Sequence, residues 1–65
     1  MFMEPEEYLD LLADLGLDIK SGADAIGVHW RTSYRYALGE QRIPAPVAKL
    51  LRLMAAVNRP SRARR

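Results

Sequence analysis

The chain has 65 residues, 49% of them apolar and 28% charged, with no cysteine, one histidine and a net charge of +2. Such a length supports one small domain at most, and helices are the economical way to close so small a core. Without cysteine there are no disulfides, no thiol chemistry and no cysteine-based zinc site; one histidine builds no His-rich metal centre, and no apolar run approaches the ~20 residues of a membrane span.

Proline and glycine punctuate the chain. Pro5 follows Glu4 in a favourable first-turn position, and Tyr8, Leu11, Leu12 and Leu15 then repeat at i, i+3, i+4 and i+7 with Leu9 beside them. This spacing predicts a first helix. Glu6, Glu7, Asp10 and Asp14 fall opposite the apolar stripe and read as a solvated face, the early acids favouring the positive end of the helix dipole. Gly16 reads as the stop. Asp18 is placed to cap a short second helix running to about Ile26, with Gly27 after it. Gly22 inside that helix disfavours it by about 1 kcal/mol relative to alanine, so it marks either close packing or a weakened helix. A third helix is predicted over Trp30–Leu38, ending at Gly39, and GEQRIPAP reads as a loop. Pro46 opens a fourth helix whose apolar positions are Val47, Leu50, Leu51 and Met54, widened by Leu53 and Val57. Pro60 bars further regular helix. The expected organisation is a domain over residues 1–58 and a mobile basic tail over 59–65, with no strand and no internal repeat.

Charge is divided along this plan. Residues 1–28 hold seven acids and one base, net −6; residues 29–65 hold nine bases and one acid, net +8. Eight of those nine bases are arginine, whose guanidinium forks onto phosphates and guanine edges. The division reads either as a polyanion-facing half or as a solvated surface with a basic tail.

Two short helices joined by a tight glycine turn are the helix-turn-helix pattern. Its demands are met in order: small Ala23 where the helices cross, Gly27 where the turn needs positive φ, and apolar Val28 to plug the gap. At 100° per residue, Thr32, Ser33, Tyr36 and Ala37 share one side of the third helix, while Trp30, Arg31, Tyr34, Arg35 and Leu38 share the other. Two arginines and two large aromatics on one outer face point to something that binds there, and the like charges of Arg31 and Arg35, one turn apart, call for an anion opposite.

Residues 17–53 resemble the lambda-repressor/Cro (XRE-type) helix-turn-helix family. The resemblance rests on Ala23 with Gly27-Val28, on Arg31-Thr32 at the start of the third helix, and on Gly39-Glu40 to Ile43-Pro44 before an apolar helix. It implies an all-α, compact bundle of four to five short helices that binds duplex DNA, commonly as a homodimer on an inverted repeat. His29, Trp30, Arg31, Tyr34 and Arg35 fall where the family reads bases or grips phosphate; Thr32 and the backbone near Lys20 and Ser21 fall where it contacts phosphate. Ser33 and Gly22 depart from the pattern, standing where a branched core residue and a helix former are usual; Ser33 leaves the packing of the third helix open, with Tyr36 placed to fill the space from the next turn.

The function expected from this reading is a cytoplasmic, sequence-specific regulator of transcription, a repressor or autorepressor of phage, plasmid or antitoxin type. The third helix would enter the major groove, with Arg31 or Arg35 bidentate to guanine and Tyr34 and Trp30 against thymine methyls or sugars. Lys20, Arg42 and the tail would take phosphates. Leu53 and Val57 are the candidate dimer contacts; the alternative is that a fifth short turn near the C-terminus covers them. Several residues keep a second reading: His29 as a helix cap, Trp30 packed on the second helix or a partner subunit, the arginines as surface salt bridges. No metal, cofactor, small-molecule ligand or membrane contact is expected, and no nucleophile–base pair or phosphate-cradling glycine loop suggests an enzyme. The rival is a helix-turn-helix protein-interaction module, since Trp, Tyr and Arg are also interface hot spots.

Overall fold

A computed structural model describes residues 3–58, and the predicted tail over 59–65 lies outside them. The described residues form four helices, α1 (Pro5–Asp14), α2 (Ile19–Ile26), α3 (Trp30–Leu38) and α4 (Ala45–Asn58), without a strand. The protein is a small all-α bundle, as the sequence periodicity predicts.

Local chemistry sets the helix boundaries. Pro5 occupies the first turn of α1, and Glu6 and Glu7 follow it at the positive end of the dipole. Asp18 caps α2 through a reciprocal box. Its Oδ1 accepts from the Ser21 N–H at 2.7 Å, and its own N–H donates to Ser21 Oγ at 3.0 Å. Gly27 ends α2 at φ +77°, the left-handed conformation that lets the Val28 N–H turn back to the Ala23 carbonyl at 3.0 Å. The chain therefore reverses within three residues and launches α3. Gly16 and Gly39 close α1 and α3 by the same backward bond, from Leu17 to Leu12 and from Glu40 to Arg35.

Met3, Tyr8, Leu11, Leu12, Tyr36, Ile43, Ala48, Leu51 and Ala55 form the buried core, with Val28, Ile26 and Val47 packed against it. Tyr8 and Tyr36 meet edge to face at 5.6 Å, joining α1 to α3. Ala23 is buried at the α2–α3 crossing, as the motif requires.

Two expectations need correction, and the packing left open at Ser33 is resolved. Leu50 is not a core residue: it is exposed, and α4 buries Ala48, Leu51 and Ala55 instead. Two of these are alanines, so α4 meets the bundle through small side chains while Leu50 joins Leu53 and Val57 outside. Glu7 is not simply part of a solvated face. Arg52 on α4 donates to both of its oxygens, at 2.9 and 2.8 Å, tying α1 to α4. These bonds hold the Glu7 carboxyl below its ordinary value, so the contribution of the pair is present at neutral pH and fades as acid protonates Glu7. Ser33 does not loosen α3. It is fully buried, and its Oγ donates to the Ile19 carbonyl at 2.8 Å. A hydroxyl has one proton, so the bond between Ser33 Oγ and the Tyr8 hydroxyl is donated by Tyr8. One serine thus links α1, α3 and the first turn of α2.

Gly22 marks close packing. A Cβ there would lie 2.7 and 3.0 Å from the two Leu12 methyl carbons and 3.4 Å from Cγ, so the buried Leu12 side chain would have to shift to admit it. Alanine gains about 1 kcal/mol of helix propensity but meets an overpacking penalty of about 1–3 kcal/mol. Gly22→Ala is therefore expected to lower the urea midpoint, and a raised midpoint would show that Leu12 moves freely.

Burial raises the hydroxyl pKa of both Tyr8 and Tyr36, in Tyr8 against a smaller lowering by its bond to Ser33. The folded protein holds these protons after the unfolded chain has begun to release its own near pH ~10. Stability is accordingly full below about pH 10 and falls as the pH rises further. Urea midpoints measured across this range should decline, and less steeply in Tyr8→Phe; a midpoint that stays flat to about pH 11 would contradict the burial assignment.

Candidate nucleic-acid interface

α3 is anchored by one face and free on the other. Ser33 and Tyr36 are buried and Thr32 and Ala37 half-buried, while Trp30, Arg31, Tyr34, Arg35 and Leu38 are exposed, the division that the helical angles predict. Thr32 therefore sits on the inner side of α3, apart from the face that carries the arginines. Trp30 and Tyr34 expose 42% and 40% of their surface. Their rings meet at 5.7 Å and 84°.

Around Trp30 the start of α2 and the start of α3 converge. The Lys20 ammonium lies 5.8 Å from the ring centroid and the Arg31 guanidinium 5.3 Å, both within cation–π range. His29 stacks beside the ring at 5.6 Å and 29°. His29 also caps α3, its Nδ1 accepting from the Arg31 N–H at 3.1 Å, so the ring proton sits on Nε2. The cap and the aromatic contact come from the same ring, and of the two sequence readings of His29 the helix cap is the one the geometry shows.

Arg31 and Arg35 are exposed one turn apart, and among the described residues neither has a carboxylate within ion-pair distance. No carboxylate among the described residues offsets their like charges. Lys20 points its charge toward the same region from α2. Ser21 is committed elsewhere: both its N–H and its hydroxyl proton go to Asp18, at 2.7 and 2.9 Å. Those bonds hold the Asp18 carboxyl below its ordinary value, and its negative charge already occupies the α2 N-terminus. At this helix end the Ser21 amide is taken by Asp18, and the Lys20 side chain is the exposed cation.

Arg42 is exposed on the α3–α4 connector, beside Gly39 and Ile43 and so at the far end of α3 from Trp30. The site residues therefore divide into a cluster at the α3 N-terminus (Lys20, His29, Trp30, Arg31, Tyr34), Arg35 one turn on, and Arg42 beyond the helix.

Two acids stand near the cluster, Asp18, which the sequence places as the α2 cap, and Asp24, to which it gives no role. Asp18 and Asp24 line the hollow shared by Lys20, Ser21, His29 and Trp30. Asp24 lies one turn after Lys20, a spacing visible in the sequence but meaningful only once α2 is set against α3. Among the described residues no group of three or more His, Cys, Asp or Glu could hold a metal ion, and no helix is long and apolar enough to cross a membrane.

On α4, Leu50, Leu53 and Val57 are exposed by 38%, 62% and 77%. At 100° per residue they lie within roughly 60° of one another, opposite the buried row. Comparison of the chain with protein-family models, curated protein sequences and solved structures finds no match.

Proposed function

We propose that the protein is a sequence-specific, double-stranded DNA-binding regulator of transcription that lays the outer face of α3 in the major groove. The observation that carries this reading is the pair Arg31 and Arg35, exposed without carboxylate partners among the described residues, on a face shared with Trp30 and Tyr34 and flanked by Lys20. A helix fixed by a buried serine and tyrosine on its inner side is a rigid reading head. Arginine on its outer side has the fork that matches guanine O6 and N7. Lys20 and Arg42, at opposite ends of α3, suit phosphates flanking the groove and supply affinity without sequence preference. Binding by a small protein of this kind, with repression by occupancy, is the regulatory mode the reading favours.

The apolar row Leu50, Leu53 and Val57 supports a homodimer, which would set two recognition helices about 34 Å apart on an inverted repeat. Selection of a randomised duplex library at ~150 mM salt tests both parts. Enrichment of an inverted repeat with fixed half-site spacing is the expected result. Sedimentation with and without that duplex then reports the dimer; a monomer in both states removes it.

A second reading draws on Asp18 and Asp24. Carboxylates beside Trp30 disfavour close approach of phosphate and suit a protein partner that carries its own cation. Under that reading the library yields no enriched sequence, DNA binding is weak, and the Trp30 cluster is a protein contact.

A further inference from the structure

Trp30 and Tyr34 stand one turn apart with planes at 84° and centroids at 5.7 Å. Two half-exposed rings that meet edge to face at a near right angle leave an apolar corner between them rather than a flat stack. Trp30 is also braced. His29 stacks beside it from the preceding residue, and the Arg31 and Lys20 cations approach its centroid to 5.3 and 5.8 Å from two different helices. A ring held this way is poorly suited to slide between base pairs, which needs an aromatic or aliphatic wedge free to enter the stack. It is suited to offering a fixed apolar surface between positive charges.

The apolar group that an unmodified base pair displays in the major groove is the C5 methyl of thymine; the other edges there are hydrogen-bond donors and acceptors. Neither an indole nor a phenol ring face satisfies those polar edges. Lys20 and Arg31, whose cations lie near the Trp30 ring, put positive charge beside such a base. We propose that the Trp30–Tyr34 corner is a subsite for the C5 methyl group of a pyrimidine in duplex DNA, carried by thymine or by 5-methylcytosine. This rests on the DNA-binding reading and adds a chemical selectivity to it. A site that recognises the methyl responds to cytosine methylation at the same position as it does to thymine.

The test uses the duplex enriched by the selection above. Each thymine is replaced singly by uracil and each cytosine by 5-methylcytosine, and affinity is read by fluorescence anisotropy. At one or two positions per half-site, loss of the methyl is expected to weaken binding about fourfold, the factor that burial of one methyl-sized group supplies. If cytosine occupies the position, adding the methyl strengthens binding by the same factor. Trp30→Ala should abolish the methyl effect while Arg35→Ala preserves it. Circular dichroism checks that Trp30→Ala retains its helix, and Tyr34→Ala reads the same corner if it does not. A duplex bound in full with no methyl-sensitive position overturns the subsite and leaves DNA binding standing. The subsite is equally overturned if both aromatic variants, properly folded, keep the methyl effect. Failure of the selection to enrich any sequence overturns the DNA-binding reading, and the subsite with it.

Discussion

Ser33→Val is expected to destabilise the domain by about 2–4 kcal/mol, although a branched apolar residue is what the helix-turn-helix pattern ordinarily places there. Valine removes both bonds of the serine at once. The Tyr8 hydroxyl, in a residue with no exposed surface, is left without an acceptor. An unmet buried hydroxyl costs about 1–3 kcal/mol, and the added methyl carbon enters a fully buried position. A domain of this size commands only about 3–5 kcal/mol from its core, so the variant should be largely unfolded at ambient temperature. The companion substitutions separate the causes. Ser33→Ala should cost about 1–3 kcal/mol and Tyr8→Phe about 0.5–1.5 kcal/mol. The double variant should be more stable than the sum of the two, because removing both partners leaves no orphaned hydroxyl. Urea unfolding of the four proteins measures the cycle. A Ser33→Val variant as stable as the parent would show that the serine is a tolerated accident.

Arg35→Ala should reduce affinity for the selected duplex by about 1–3 kcal/mol, roughly 5- to 150-fold, and relax preference at one base position per half-site. Arg35 is exposed in the last turn of α3, away from the core, so the loss is expected without unfolding. Lys20→Ala should behave differently: it weakens all sequences alike and lowers the salt slope by about one. Competition of each variant against duplexes carrying single base changes distinguishes the two patterns. Unchanged affinity and base preference in Arg35→Ala would remove it from the reading face.

Much of the helical plan is legible residue by residue. Pro5, Asp18 and the glycines at 16, 27 and 39 act through local geometry, and the first three helices start and stop beside them. The two faces of α3 are equally legible, because a nine-residue helix drifts little from 100° per residue. What escapes is whatever depends on a distant partner. Ser33 reads as a flaw until Tyr8, 25 residues away, supplies a hydroxyl beside it. Glu7 reads as solvated until Arg52, 45 residues on, closes over it. Leu50 misleads for another reason. Periodicity weighs large apolar residues, whereas α4 packs closely through Ala48 and Ala55, which carry little hydrophobic signal. At the candidate site, the exposed arginines and rings on α3 follow from angle and composition. The bracing of Trp30 by Lys20 and the nearness of Asp18 and Asp24 do not, since they require α2 and α3 to be docked.

If the outer face of α3 is where duplex DNA lands, titration of the 15N-labelled protein with the selected duplex should map the contact there. The largest shifts are expected at the Trp30 indole N–H and at the amides of Lys20, His29, Arg31, Tyr34 and Arg35, with α1 nearly silent. Changes centred on the acidic face of α1, or absent from α3 at saturating duplex, would contradict that placement.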